Sequence, residues 1–272
     1  MIGLTYSSFA SSIVSANDAD AQAFIDAAGI TGATQQSALN QLVLDLKGEG
    51  STTNNTDVWS SIHAFYPTCP IDDVTATLTA CSYNLRDTSA YQITWYNSPT
   101  VSVSGVTGNG SNMYGDTGYN PSTEGTLNSS HMAIYKDTGW DTTTNFWGCR
   151  DGSSSVFEHT YDAGEAWSGF YATSASGRLK ATMGNNNTQK FRIICNRSSS
   201  ILNTVYENGA SIGSIATTDG SLPNATSFVM YSDGLNWDAS TFQCHSIGLG
   251  LTANQAKDLD DAITTYNTAL GR

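Results

Sequence analysis

The spacing of apolar residues changes period twice along this chain. Between residues 18 and 48 they recur every three or four positions, as on one face of an α-helix. "DADAQAFIDAAG" opens on acids and stops at Gly29, while "TGATQQSALNQLVLDLKGEG" aligns Leu39, Leu42, Val43 and Leu46 and stops at Gly48. The short link between them predicts a helical hairpin. "DVWSSIHAFYP" spaces Trp59, Ile62 and Phe65 by three and predicts a third, short helix ended by Pro67. From about Tyr91 the period falls to two. Strands are expected over 90–97, 101–105, 111–116, 131–137, 145–150, 155–161, 166–174, 178–184, 190–197, 202–207, 210–216, 226–232 and 241–249. In "KFRIICNR", Phe191, Ile193 and Cys195 alternate with Arg192, Ile194 and Asn196. "NTVYENGASIGSI" places Asn208-Gly209 between two β-prone runs, which specifies a two-residue hairpin with positive φ angles. The helical period then returns. Thr252 and Gln255 have capping-box spacing before a helix starting near Ala253, and Ala256, Leu259, Ile263, Tyr266 and Leu270 form one apolar stripe.

Many antiparallel strands joined by short turns indicate a β-sandwich or jelly roll, with no repeat or linker dividing the strands. Composition agrees: charged residues are 13% of 272, Gly numbers 25 and Pro only 5. A net charge of −13 without any run of Lys or Arg argues against nucleic-acid binding. No apolar run approaches the ~20 residues of a membrane span, and "MIGLTYSSFASSIVSANDAD" lacks the basic start and apolar core of a secretory signal. Residues 1–17 read as an arm that orders against a neighbour, 18–67 as a helical segment, 68–252 as the sandwich and 253–272 as a terminal helix, together one compact domain. Five cysteines without C-x-x-C spacing favour small core residues over zinc ligands; Cys69 and Cys81 are the pair placed to bridge a loop.

Five pieces occur here in one order: the helical pair with "VWSSIHAFYP", the "NLRD" of residues 84–87, "GVTGNGSNMYGDTGYNPS", the "YENG" hairpin, and "SIGLGLT" leading to the terminal "ALGR". Together, over roughly residues 18–272, they resemble tailed-bacteriophage virion proteins that carry a concanavalin A-like lectin/glucanase domain, found in tail fibres, receptor-binding proteins and head decorations. The stretch "TCPIDDVTATLTACSYNLRD" departs from that family in its length and its two cysteines. The resemblance implies a concanavalin A-like antiparallel β-sandwich with an N-terminal helical hairpin and a C-terminal helix packed on it. It also implies a place in the virion, contacts with other virion proteins through the N-terminal region, and assembly as a homo-oligomer.

That fold class includes retaining glycosidases, which set two carboxylates about 5 Å apart. "FEHTYDAGE" is the nearest candidate here; strand parity pairs Glu158 with Asp162 and puts Glu165 on the opposite face, so the chain is expected not to be an enzyme. His63, His131, His159 and His245 stand singly, and no G-x-S-x-G or P-loop spacing occurs. No cofactor is expected, although Asp137 with Asp141, or Asp233 with Asp238, are oxygen ligands that a structural calcium could use. Sugar binding needs an aromatic surface beside short polar side chains. Trp140, Trp167 and Trp237 sit in such settings at predicted turns and are the carbohydrate-binding candidates, with a host surface glycan as ligand. The leading expectation is a structural virion component, followed by a glycan-reading receptor-binding module and then by a polysaccharide-degrading enzyme.

Overall fold

The computed structural model describes residues 16–68, 78–137, 145–151, 155–162, 165–170, 179–183, 191–216, 220–231 and 237–272. Helices α1 (Ala19–Ala28) and α2 (Ala33–Leu46) form the expected hairpin. Asp18 caps α1, accepting from the Asp20 N–H, and Gly29 ends it at φ 68°, a left-handed position that glycine takes without steric cost.

The third helix is not formed. Trp59–Ser61 make one 3-10 turn, and Ile62–Pro67 continue as strand β1. The run "IHAFYP" is buried on both sides, with Phe65 toward the helices and Ala64 and Tyr66 toward the second sheet. A strand apolar on both faces has no period of two, which is why its spacing imitates a short helix.

The strands that follow are β2 (Thr94–Tyr96), β3 (Thr100–Ser102), β4 (Gly105–Thr107), β5 (Tyr114–Asp116), β6 (Ser130–Lys136), β7 (Asn145–Asp151), β8 (Ser155–Asp162) and β9 (Glu165–Phe170). A four-residue helix α3 (Pro121–Glu124) lies between β5 and β6. Then come β10 (Leu179–Thr182), β11 (Phe191–Ser199), β12 (Leu202–Glu207), β13 (Ala210–Ile215), β14 (Phe228–Val229), β15 (Thr241–Gly248) and the terminal helix α4 (Ala253–Ala269).

Two antiparallel sheets result. The first runs β13-β12-β11-β6-β15-β4-β3 with β1 also on β15, and the second runs β10-β9-β8-β7-β14-β5-β2. Met132, Ile134, Ile193, Cys195, Val205 and Phe242 of the first sheet meet Trp147, Cys149, Leu179, Ala181 and Val229 of the second in the inter-sheet core. Between them lies a buried ion pair, Lys136 with Asp238, whose Oδ2 also accepts from Trp147 Nε1 at 2.8 Å.

The other face of the first sheet is buried as well. Ala133, Tyr135, Ile194, Tyr206 and Cys244 pack beneath Phe24, Leu39, Leu42, Leu46, Leu259, Ile263 and Tyr266 of the helices. Each such Leu or Ile contributes about 1.5–3 kcal/mol by leaving water. α4 starts in a capping box, with Thr252 and Gln255 satisfying each other's free amides. Arg192 of β11 pairs with Asp260, and the β12–β13 turn at Asn208 (φ 49°) and Gly209 (φ 77°) tucks against the same helix. The β-rich chain ends on a helix because the first sheet needs an apolar cover. The described residues therefore form three layers, helices over sheet over sheet, and no described helix covers the outer face of the second sheet.

Residues 1–15 of the expected arm, and Cys69 of the Cys69–Cys81 pair, lie outside the described residues; Cys81, Cys149, Cys195 and Cys244 are buried.

Candidate functional site

Strands β2, β5 and β14 build an aromatic row on the outer face of the second sheet. On β2, Trp95 turns inward, donating its indole N–H to the Leu78 carbonyl at 3.0 Å and packing near Phe242, so Tyr96 turns outward and is 41% exposed. On β5 the inward position is Gly115. A Cβ there would lie 2.4–2.8 Å from Ile93, Val229 and Trp95, so a side chain does not fit, and Tyr114 and Asp116 take the outward positions. On β14, Val229 is buried and Phe228 half-buried.

The row continues because the strand breaks. Met230 is buried with φ at +62°, a conformation that bulky residues rarely adopt and that costs of order 1–3 kcal/mol. That kink brings Tyr231 out of strand register, where it bridges to Trp237. Tyr96 and Tyr114 stack at 4.6 Å between centroids and 10° between planes, Tyr114 and Tyr231 at 4.9 Å and 29°, and Tyr231 and Trp237 lie 5.6 Å apart at 31°. Phe228 meets Tyr114 and Tyr231 edge-on.

Inside the stack the ring faces cover one another, and among the described residues no further ring stacks on Tyr96. What the row offers is the open face of Tyr96, the edges of Tyr114 and Tyr231, and Trp237 at the far end. The Trp237 indole N–H is shut away from solvent without a hydrogen-bond partner. Burial, reinforced by Tyr96 and Asp116 nearby, raises the Tyr114 pKa. Short polar side chains border the row. Asp116 accepts from Thr226 Oγ1 at 3.2 Å and the Gly118 N–H at 2.9 Å, and Asn97 donates to the Asn112 carbonyl at 2.7 Å.

Of the tryptophans singled out in the sequence, Trp237 closes this row. Trp167 lies on β9, with Thr160 of β8 and Lys180 of β10 as cross-strand neighbours, and Trp140 lies outside the described residues. Tyr96, Tyr114 and Tyr231 were missed. Their signal was a tyrosine beside a short polar residue at a strand end, in "WYN", "MYGD" and "MYSD".

The acids need one correction. Asp162 and Glu165 are cross-strand partners of the β8–β9 hairpin, and such partners share a sheet face. Parity counted straight through the turn gave the opposite result, because a hairpin restarts the count. Glu158 is four residues from Asp162 on β8, about 13 Å at the rise of a strand. It occupies a row that runs Thr94, Asp116, Phe228, Gly148, Glu158, Gly169 across the sheet, so it stands between two glycines.

For calcium, Asp238 is already committed to Lys136, Trp147 and the Ser240 N–H, and Asp141 and Asp233 lie outside the described residues. Among the described residues no group of three or more His, Cys, Asp or Glu is placed to hold a metal ion. His131 and His245 are fully buried in the sheets, and no described helix is long and apolar enough to cross a membrane.

No family model matches this sequence, and no curated protein does. Solved structures do share the fold. A Trypanosoma rangeli sialidase in complex with sialic acid superposes with TM-score 0.54 at 12% identity, covering 83% of this chain and 38% of the sialidase. Botulinum neurotoxin type C, whose cell entry depends upon interaction with two ganglioside molecules, superposes with TM-score 0.52 at 10% identity, covering 76% of this chain and 52% of that one. The binding domain of botulinum neurotoxin DC, in complex with rat synaptotagmin II, gives 0.51 at 10% identity over 75% and 52%. This chain thus spans about half or less of each of these three structures. The likeness is one of fold, a concanavalin A-like antiparallel sandwich; in this chain the N-terminal helical hairpin and the C-terminal helix pack on it.

Proposed function

We propose that this chain is a non-catalytic carbohydrate-binding β-sandwich, displayed on a tailed-phage virion with the outer face of its second sheet toward the host surface. The observation that carries the proposal is the row Tyr96, Tyr114, Tyr231 and Trp237, bordered by Asn97, Asn112 and Asp116. Exposed aromatic surface beside amide and carboxylate groups suits a sugar, whose ring has apolar C–H faces and a polar rim. Support also comes from the solved structures of similar fold, among them a toxin that interacts with gangliosides and a sialidase holding sialic acid. The virion setting rests on the five-piece sequence resemblance, as do contacts with other virion proteins and assembly into a homo-oligomer.

Electron cryomicroscopy of the phage particle tests the placement. Density for this chain with the Tyr96 end of the row facing solvent is expected; a row buried against neighbouring virion proteins would leave only a structural role. The Asp162–Glu165 pair makes hydrolysis the reading to exclude. Incubation with bacterial polysaccharides is expected to release no reducing ends, and release abolished by Asp162→Asn or Glu165→Gln would establish an enzyme.

A further inference from the structure

A second cleft, sharing no residue with the aromatic row, opens where α1, β1, α3 and the "NLRD" loop meet. It measures about 580 Å³ and is lined by Asp20, His63, Arg86, Asp87, Tyr91 and Glu124 beside the apolar surface of Ala23, Ile62 and Leu85. Asn84, fully buried, builds it. Its Oδ1 accepts from the Phe65 and Arg86 N–H groups at 2.9 and 3.0 Å, and its Nδ2 donates to the His63 and Ala90 carbonyls at 3.2 and 3.3 Å. These four bonds fasten the loop to β1 and hold its next residues at the cleft. Tyr91 is fixed with equal care. It sits at φ +54°, its carbonyl accepts from Tyr66 at 2.6 Å, and its hydroxyl donates to Glu124 Oε2 at 2.6 Å. Backbone strain at a bulky residue pinned from two sides is a mark of a preorganised site.

Arg86 is the unexplained group. Its guanidinium stacks 5.0 Å from the Trp59 ring centroid, makes no side-chain hydrogen bond or ion pair among the described residues, and has its Nε shut away from solvent. The guanidinium borders the cleft with hydrogen-bonding capacity that the described residues leave unused, so its cleft-side N–H groups are the donors a ligand oxygen would meet. The charges around it narrow the ligand. Asp20, Asp87 and Glu124 outnumber Arg86, while Lys47 is taken up by Asp18 and Asp20, so a free anion is repelled. A cation meets the guanidinium. His63 adds no charge at neutral pH, because burial lowers its pKa against the pull of Glu124, and its Nδ1 is shared with Tyr119 at 3.2 Å. What remains is a neutral ligand presenting hydroxyls that both donate and accept, with an apolar face for Ile62 and Leu85.

We propose that this cleft is a second binding site, taking one neutral hexose ring or disaccharide, with Arg86 donating to its oxygens and Asp87 and Glu124 accepting from its hydroxyls. The site does not depend on the aromatic row. The test is NMR of the whole chain, following the Arg86 Nε–H and His63 ring signals during titration with methyl glycosides of neutral hexoses, glucuronic acid and glucosamine. Saturable shifts with at least one neutral glycoside are expected, weakened about tenfold or more by Arg86→Ala and by Glu124→Gln, the loss of one charge-assisted hydrogen bond. Glu124 is exposed at the end of α3, so the second variant guards against misfolding of the first. Tyr96→Ala should leave the shifts unchanged; if it abolishes them, the signals report the aromatic row and the cleft is no site. Shifts with only the acidic or only the amino sugar, or with none at millimolar concentration, overturn the proposal.

Discussion

Replacing Asp238 by Asn tests how the core holds the aromatic row in place. The Lys136 and Asp238 side chains are 1% and 0% exposed, and the carboxylate also accepts from Trp147 and from the Ser240 N–H. Asparagine keeps the shape and removes the carboxylate charge opposite Lys136, whose charged form burial already disfavours. Breaking such a pair from one side costs about 3–5 kcal/mol, a large share of the roughly 5–15 kcal/mol by which a domain is stable. The effect should reach the site. Asp238 directly follows Trp237, its N–H donates to the Met230 carbonyl at 3.0 Å, and its own carbonyl lies so close to Gly108 that a Cβ there would come within 2.1 Å. Urea unfolding followed by circular dichroism at neutral pH reads the stability, and tryptophan emission reads the end of the row. A loss of about 3–5 kcal/mol is expected, while Lys136→Met with Asp238→Asn, which removes both charges and keeps an acceptor for Trp147 and the Ser240 N–H, should recover part of it. A loss below about 1 kcal/mol for Asp238→Asn alone would refute the reasoning.

Two further predictions concern the sheet and its helical cover. His131 and His245 are fully buried, and burial pushes their pKa values down to about 4 and about 3. Unfolded, both take up protons near the ordinary value of 6.5, whereas the folded protein does not; the stability is full above that value and is lost as pH falls toward the folded values. Together they should remove about 3 kcal/mol between about pH 7.5 and about pH 5.5. Urea midpoints across that range check the loss, and a His131 or His245 ring that titrates near its ordinary value in the folded protein would contradict it. Leu259→Ala, at a fully buried position between α4 and the first sheet, should cost about 2–5 kcal/mol by urea unfolding, and a cost near zero would mean that α4 is not the cover described.

Much of the fold was legible in the sequence because its signals were local. The α2 and α4 stripes, the Thr252–Gln255 capping box and the Asn208-Gly209 turn each lie within a few residues, and all appear where expected. The alternation of Ile193 and Cys195 with Ile194 was legible too, but not its meaning: both faces of β11 are buried, one by the second sheet and one by helices. The same double burial disguised β1 as a helix. The aromatic row was harder, since it joins residues 96, 114, 231 and 237 through strand order and a positive φ at Met230. No window of sequence contains those causes. Trp237 was visible as a tryptophan among short polar residues, whereas its tyrosine neighbours needed the sheet to bring them together.

The central claim is that the outer face of the second sheet reads a surface glycan, and a glycan array of bacterial surface polysaccharides probes it most directly. Wild type should be compared with Tyr96→Ala and Trp237→Ala, each confirmed folded by circular dichroism. The account predicts binding to at least one glycan, weakened in both variants by more than about 1 kcal/mol, or roughly fivefold or more. Silence of the folded wild-type protein across the array, or binding that neither substitution changes, would contradict it.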